Sequence, residues 1–252
     1  MTTLMLVVIA LVVVALIFDF TNGFHDAANS IATVVATGTL TPLQAVSLAA
    51  FFNFVAMWIF ELKIAATIGK GIVDPGVVDL YVLFGCLTGA ITWNMITWWF
   101  GLPTSSSHAI IGGLVGAALA TSQTVHWDGV KQKVLIPMVI SPLVGIFATL
   151  LLTLALQWLF RNAKRSRTGK GFRVGQILAA TTMSIGHGLQ DAQKTMGVIT
   201  LALTVGGLYN GGKEDPIPTW VIFAAAAAIS LGTYAGGWRI MKTLGKRDRK
   251  ST

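Results

Sequence analysis

Charged residues are scarce in this chain of 252 residues, because Asp, Glu, Lys and Arg together make up only 11% of it. A soluble domain of ordinary composition carries about 25% charged residues. Hydrophobic residues account for 54% of the chain. This composition argues against an ordinary soluble domain, because the excess of apolar surface needs lipid.

Cysteine and early basic residues are also nearly absent. The single Cys86 lies inside an apolar run, so no intramolecular disulfide can form and no redox compartment can be inferred. No Lys or Arg precedes Lys63, so the first apolar run lacks the basic start of a signal peptide. We interpret that run as a mature membrane span.

Long apolar runs dominate what is present. A bilayer is crossed by about 20 apolar residues in a helix, and seven segments approach or reach that length. They predict an all-α, multi-pass integral membrane protein. Residues 104–121 are short, so they form either a full crossing or a re-entrant hairpin. The predicted helical segments are 4–35, 43–62, 77–100, 104–121, 134–160, 176–208 and 217–238.

Positive charge is concentrated in two short segments. Twelve of the 18 basic residues lie in a predicted loop, 161–175, and in a tail, 239–252, and each segment adjoins an apolar span. Basic residues next to membrane spans mark the cytoplasmic side, which disfavours a nucleic-acid interface. Both segments are therefore predicted to be cytoplasmic, at the plasma membrane. The five spans before the loop place the N-terminus outside.

A short internal repeat connects two polar segments. Residues 25–31 match residues 190–196 at an offset of 165, and each copy places an Asp-Ala pair in apolar surroundings. The predicted topology enters the first copy from outside and the second from the cytoplasm, which is the relation expected of inverted repeats. We therefore divide the membrane part into a first repeat, 1–160, and the start of a second, 176–238.

Asp26 and Asp191 are the strongest site candidates. An ionisable group at membrane depth costs about 2.5–3.5 kcal/mol on insertion scales and usually faces a cavity or a partner. The alternative is that Asp191 pairs with Lys194 one turn further on and only holds helices together. Amide and carboxylate oxygens suit a sodium ion, and a buried carboxylate equally suits a proton. The flanking polar residues are Asn22, His25, Asn29, Gln190, Gln193 and Lys194.

His25 and His187 stand close to these aspartates and suggest a metal centre or a membrane-embedded hydrolase. No cysteine or further histidine supports a metal site at ligand spacing. No set of nucleophile, base and orienting group is evident either. We therefore expect no enzyme and no resident cofactor, and we treat the two histidines as candidates for a transport pathway.

A second polar segment, residues 101–109, precedes a glycine-rich apolar run. Proline in a first turn and serine or threonine at an N-cap predict a helix start there, where backbone N–H groups and hydroxyls converge. Such a terminus can bind phosphate or sulfate, although capping and packing alone would also explain it. His108 would bond within the hairpin or titrate near neutral pH. Asn94, on the preceding span, would line a pathway or bridge helices.

Three motifs, in this order, resemble the signatures of the inorganic phosphate transporter (Pit) family. The resemblance covers essentially the whole chain. The motifs are Asn22-Gly23-Phe24-His25-Asp26-Ala27-Ala28-Asn29, Gly101-Leu102-Pro103-Thr104-Ser105-Ser106-Ser107-His108 and Gly186-His187-Gly188-Leu189-Gln190-Asp191-Ala192-Gln193-Lys194.

The resemblance implies secondary active uptake of inorganic phosphate coupled to sodium or protons. It also implies an inverted-repeat fold with broken helices and a re-entrant hairpin, and a homodimer. In some relatives a metal–phosphate complex is thought to be the species carried. By motif it assigns the coupling ion and the substrate to Asp26, Asn29, Gln190 and Asp191, and the phosphate to Thr104, Ser105, Ser106 and Ser107. Asn22 is a further candidate ligand of the coupling ion.

One departure from the family pattern concerns the second repeat. At the offset of 165, the counterpart of Ser105 to His108 would lie at 270 to 273, beyond Thr252. We therefore expect an incomplete phosphate cage, a truncated chain or one that needs another polypeptide, and poor transport by this chain alone. A transporter of another oxyanion such as sulfate, and a non-transporting membrane fragment or subunit, are the alternatives.

Overall fold

The computed structural model of the chain describes residues 3–59, 72–73, 78–163, 165–209 and 217–236. These residues form helices and no strand beyond one isolated bridge, Val73 with Val125, so the all-α prediction is confirmed. The predicted tail, 239–252, lies outside them. The helices are α1 (Thr3–Ala36), α2 (Pro42–Ile59), α3 (Leu80–Phe100), α4 (Ser106–Ala120), α5 (Trp127–Val130), α6 (Ile136–Phe160), α7 (Arg165–Val205) and α8 (Thr219–Ala235), with a π-helical turn, Lys131–Leu135, between α5 and α6.

Within the described residues, each of the seven predicted apolar segments is mainly helical. Three stretches of the described chain are long and apolar enough to cross a membrane, namely α1, α3 and the stretch Trp127–Phe160. Three more, Pro42–Trp58, Ser106–Ala120 and Thr219–Ala235, are apolar but shorter. At 1.5 Å per residue, α4 is about 22 Å long, shorter than the roughly 30 Å hydrocarbon core. That length suits an arm of a hairpin, which stays a prediction.

The predicted loop 161–175 is largely helical, because α7 begins at Arg165 and runs for 41 residues through the Asp191 segment. Lys and Arg are good helix formers, so a basic composition does not by itself end a helix. Helix α1 is likewise continuous through Asp26. The helical chain is interrupted instead at residues 101–105, between α3 and α4.

Two glycines set how closely the central helices pack. Helices α1 and α7 contact each other, with α8 against α1 and α2 against α7. A Cβ added at Gly23 would lie 2.1 Å from the carbonyl oxygen of Ile229, and one at Gly188 would lie 2.5 Å from that of Asn53. The two glycines are 165 residues apart, which is the offset of the sequence repeat. The same packing therefore occurs twice, as expected of repeats related by a two-fold axis, although their orientation in a membrane stays a prediction.

Helices α3 and α4 pack side by side and bring residues 101–108 next to α1. The N-cap of α3 is Asp79, whose Oδ1 accepts a hydrogen bond from the N–H of Val82 at 2.8 Å. Helix α3 ends at Phe100 and is followed by its C-cap, Gly101, whose φ of 65° favours glycine. This left-handed residue starts the turn that leads to α4.

Helix α6 is long and apolar, and none of its residues is buried. Its apolar side chains, among them Phe147 and Trp158, are 64% and 68% exposed. Contiguous apolar surface of this kind is stable only against lipid or another protein surface. The helix thus agrees with the need for lipid that the composition indicates.

Candidate functional site

Asp26 accepts two hydrogen bonds in a buried polar cluster where α1, α4 and α7 meet. Its Oδ2 accepts a hydrogen bond from Ser106 Oγ at 3.1 Å, and its Oδ1 accepts one from His25 Nδ1 at 3.0 Å. Asp26 is 9% exposed and Ser106 is 1% exposed. The first Asp-Ala segment and the serine segment, which are 80 residues apart in sequence, therefore form one site.

The other nitrogen of the His25 ring faces two hydroxyls. His25 Nε2 lies 3.0 Å from Thr97 Oγ1 and 3.4 Å from Thr104 Oγ1. Thr104 also donates to Thr97 Oγ1 at 3.2 Å. Thr97 is not among the site residues predicted from the sequence, because one hydroxyl on an apolar span carries no signal of its own. These contacts fix the ring of His25 and so orient its bond to Asp26.

Asp191 is bound by two groups of its own helix. His187 Nδ1 lies 2.8 Å from Asp191 Oδ2, four residues along α7. Lys194 Nζ donates to Asp191 Oδ1 and also to Ser107 Oγ on α4. The ion pair expected if Asp191 only held helices together is therefore present. However, Lys194 also reaches the serine segment, which makes the pair part of the site.

The two Asp-Ala segments meet in space. Asp26, His187 and Asp191 each offer one ligand atom, and these atoms lie within 4.8 Å of one another. Two carboxylates and an imidazole are donors that a metal cation accepts, and carboxylate oxygens also suit a hard monovalent ion. Spacing along the chain does not reveal this set, because only the packing of α1 on α7 brings Asp26 to the other two.

The serine segment is divided between two surfaces. The N-cap of α4 is Ser105, and its side chain accepts the N–H of His108 at 3.3 Å, so the predicted helix start is confirmed. Pro103 lies two residues before that cap, so its expected place in the first turn is wrong. Ser105 and His108 are exposed and line a cleft of about 760 Å³ between α3 and α4, whereas Ser106 and Ser107 face the aspartates.

The remaining candidates lie around this cluster. Asn22 and Asn94 are buried, and Asn22 Oδ1 and both side-chain amide atoms of Asn94 have no hydrogen-bond partner in the described part of the chain. Asn29 and Gln190 are exposed and lie outside the buried cluster. The ligand roles that the motifs assign to these last two residues stay predictions.

Asp19 is a buried carboxylate that is not among the site residues predicted from the sequence. It is 0% exposed, and neither carboxylate oxygen has a hydrogen-bond partner among the residues described. The signal that identifies Asp26, an acidic residue inside an apolar run, also applies to Asp19. The repeat includes the Asp-Ala pair at residues 26 and 27, and Asp19 lies outside the matched residues.

The sequence matches the phosphate transporter family over residues 22–250. The chain belongs to this family. The family is one of transporters and not of enzymes, and membership confirms the resemblance seen in the three motifs.

Relatives at high identity carry the name "Probable low-affinity inorganic phosphate transporter". The protein from Rhizobium meliloti (strain 1021) is 50% identical over 96% of this chain and 72% of its own length. The protein from Bacillus subtilis (strain 168) is 43% identical over 99% and 75%. The one from Mycobacterium tuberculosis (strain ATCC 25618 / H37Rv) is 47% identical over 93% and 56%. The chain thus spans between 56% and 75% of these relatives.

A solved structure described as "The sodium-dependent phosphate transporter" superposes with a TM-score of 0.72. The match covers 95% of this chain and 78% of that one, at 23% sequence identity. At this identity the likeness establishes the fold. The chain therefore shares the helical fold of that structure.

Proposed function

We propose that this chain mediates secondary active transport of inorganic phosphate across the plasma membrane, coupled to a cation gradient. The observation that carries the proposal is that Ser106, Ser107 and Lys194 meet Asp26 and Asp191 in one buried cluster. Hydroxyl and ammonium groups suit an oxyanion, whereas carboxylates suit a cation. A site that combines both is suited to carrying the two together.

The phosphate would lie between the start of α4 and Lys194. The first N–H groups of a helix have no intrahelical partners and favour an anion, and Ser106 and Ser107 add hydroxyls at that point. Lys194 contributes one full positive charge from α7. Most of these donors are neutral, which permits release of the phosphate as well as binding.

The carboxylates explain why a cation should accompany the anion. Two unit charges 4 Å apart interact by about 4 kcal/mol at an effective dielectric constant of 20. A phosphate beside Asp26 and Asp191 is repelled on that scale unless a positive charge joins it. Binding of the cation and of the phosphate would therefore favour each other reciprocally, as symport requires. Sodium, a proton, or a divalent ion carried with the phosphate would each supply the charge.

The same carboxylates favour phosphate over sulfate. Phosphate at neutral pH retains at least one proton and can donate an O–H to Asp26 or Asp191. Sulfate has no proton to donate, so its oxygens would meet the carboxylates without a hydrogen bond. A charged group left unpaired in this way costs binding free energy and rejects the wrong ligand.

The test is uptake of radiolabelled phosphate by proteoliposomes that contain this chain, with sodium and pH gradients imposed separately. We expect one gradient to drive measurable though slow uptake by this chain alone. Asp26→Asn should abolish that uptake and Asp128→Asn should retain it, since Asp128 is exposed and lies on α5. Excess sulfate should compete weakly. Equal uptake by the Asp26→Asn protein would refute the proposed site.

The expected homodimer is tested separately, by measuring the molar mass of the purified protein.

A further inference from the structure

Helices α1 and α7 face each other through two stripes of polar side chains. Residues three or four apart lie on one face of a helix. On α1 such a face carries an acid, an amide and a second acid, and on α7 it carries an imidazole, an acid and a hydroxyl. The two stripes are Asp19, Asn22 and Asp26 on α1, and His187, Asp191 and Thr195 on α7.

The stripes pair in antiparallel order. Asp26 lies within 4.8 Å of His187 and Asp191 through their ligand atoms, while Asp19 faces the hydroxyl of Thr195. The two helices therefore run in opposite directions along the stripes, so that residue numbers decrease along α1 where they increase along α7. The result is one continuous polar seam with the phosphate cluster at one end. Seven residues of helix span about 10 Å, so Asp19 lies about 10 Å from Asp26 along α1.

At the Asp19 end of the seam, Asp19 and Thr195 face each other, but the described residues give neither side chain a hydrogen bond of ordinary geometry. Asp19 and Thr195 are both 0% exposed. Both carboxylate oxygens of Asp19, the hydroxyl of Thr195 and Oδ1 of Asn22 lack a hydrogen-bond partner within the described ranges. The charged groups that act on Asp19 are Asp191 and Lys194, both on α7, and they already bond to each other. The side-chain donor that faces Asp19 among the described residues is the hydroxyl of Thr195. One loosely placed hydroxyl offsets little of the cost of burying an ionised carboxylate, so the site favours a positive ligand.

We propose that the carboxyl group of Asp19 binds a proton during the transport cycle, at a site separate from the phosphate cluster and joined to it by the seam. A proton taken from water by a carboxylate oxygen gives a neutral carboxyl, whose O–H donates to Thr195 Oγ1. Release returns the proton to water and restores the carboxylate. The unpartnered hydroxyl oxygen of Thr195 thus provides an acceptor for the donor that protonation creates.

A metal ion fits this place less well than a proton does. Hard cations gather several oxygen ligands, about six or more for the common divalent ions. Among the described residues, the unpartnered side-chain oxygens in this part of the seam are those of Asp19, Thr195 and Asn22. Backbone carbonyls inside the two helices accept helical hydrogen bonds. The inference rests on the proposed function and extends it, because it identifies the coupling ion as a proton and Asp19 as its carrier.

The Asp19→Asn protein in proteoliposomes provides the first test, because it separates coupling from substrate handling. Exchange of phosphate between equal internal and external pools needs no net proton movement, whereas accumulation driven by a pH gradient does. We expect exchange to survive and accumulation to fall by about 5- to 150-fold, the range of ordinary coupling between two sites. Asp128→Asn should keep both activities.

Three outcomes overturn the inference. The first is an Asp19→Asn protein that accumulates phosphate as the wild type does. The second is a folded Asp19→Asn protein that loses exchange and accumulation to the same extent. The third is a wild-type protein whose uptake is driven by a sodium gradient alone. The last outcome leaves the proposed function intact. A wild type without exchange or uptake refutes the proposed function instead.

Infrared spectroscopy tests the site without any transport. The wild type should show the carbonyl band of a buried protonated carboxyl that disappears as the pH is raised, and Thr195→Val should shift that band by removing its hydrogen-bond acceptor. Asp19→Asn should lack the band. Absence of any such band from the wild type, or a band that persists in Asp19→Asn, overturns the inference even if a variant folds poorly.

Discussion

The two Asp-Ala segments have the same packing but different chemistry. Asp26 and Asp191 are 165 residues apart, and each follows a glycine at which a neighbouring helix packs closely. Asp26 accepts hydrogen bonds from Ser106 and His25, whereas Asp191 accepts from Lys194 and lies beside His187. The repeat therefore preserves how the helices meet while the side chains around each carboxylate have diverged.

That difference assigns different tasks to the two carboxylates. The ammonium of Lys194 already offsets the charge of Asp191 and extends to Ser107, which places Asp191 beside the phosphate. The hydrogen bonds that reach Asp26 come from a hydroxyl and an imidazole, so more of its negative charge is available to a cation. We therefore expect substitutions in the two segments to agree where they test packing and to diverge where they test charge.

The largest expected effect concerns the packing that the segments share. Gly23→Ala and Gly188→Ala should each lower the free energy of unfolding by about 3 kcal/mol, the upper end of the usual cost of overpacking, because the new Cβ meets backbone atoms. Thermal unfolding in detergent measures this. Gly112→Ala is the control, since nothing lies within 4 Å of its Cβ position and alanine favours a helix. If Gly188→Ala unfolds at the same temperature as the wild type, the two segments do not share the same helix packing.

The next prediction tests the difference in charge around the two carboxylates. Lys194→Gln should weaken phosphate binding by about 10- to 100-fold, because a hydrogen bond to a charged group contributes about 1.5–3 kcal/mol and 1.4 kcal/mol is a factor of ten. Titration calorimetry with inorganic phosphate measures the dissociation constant. Lys131→Gln, at an exposed position, should leave it unchanged. Unchanged affinity in Lys194→Gln would mean that its pair with Asp191 only holds helices together.

The smallest expected effect distinguishes the roles of two neighbouring serines, Ser105 and Ser106. Ser106→Ala should weaken phosphate binding by about fivefold, since it removes one neutral donor worth about 1 kcal/mol. Ser105→Ala should keep the affinity and instead lower the free energy of unfolding by about 1 kcal/mol, because Ser105 caps α4. Binding and thermal unfolding measured on both proteins distinguish the roles. Loss of affinity in Ser105→Ala alone would place the phosphate in the cleft between α3 and α4.

Much of the fold follows from local properties of the sequence. Runs of apolar residues predict the helices at nearly the observed positions, because length and apolarity act within each segment. The exception is the start of α7, where a basic composition suggested a loop although Lys and Arg are compatible with a helix. Asp26, Asp191 and the serine segment were also recognisable, because polar groups in apolar surroundings stand out.

Only the tertiary structure decided which of these groups meet. The bond between Ser106 and Asp26, the reach of Lys194 to Ser107 and the approach of Asp19 to Thr195 all join helices distant in sequence. Helical periodicity determines the face on which a side chain lies, and the sequence carries that information. The partner on the opposite face depends on the register and closeness of two packed helices, set here by Gly23 and Gly188 with backbone atoms far along the chain.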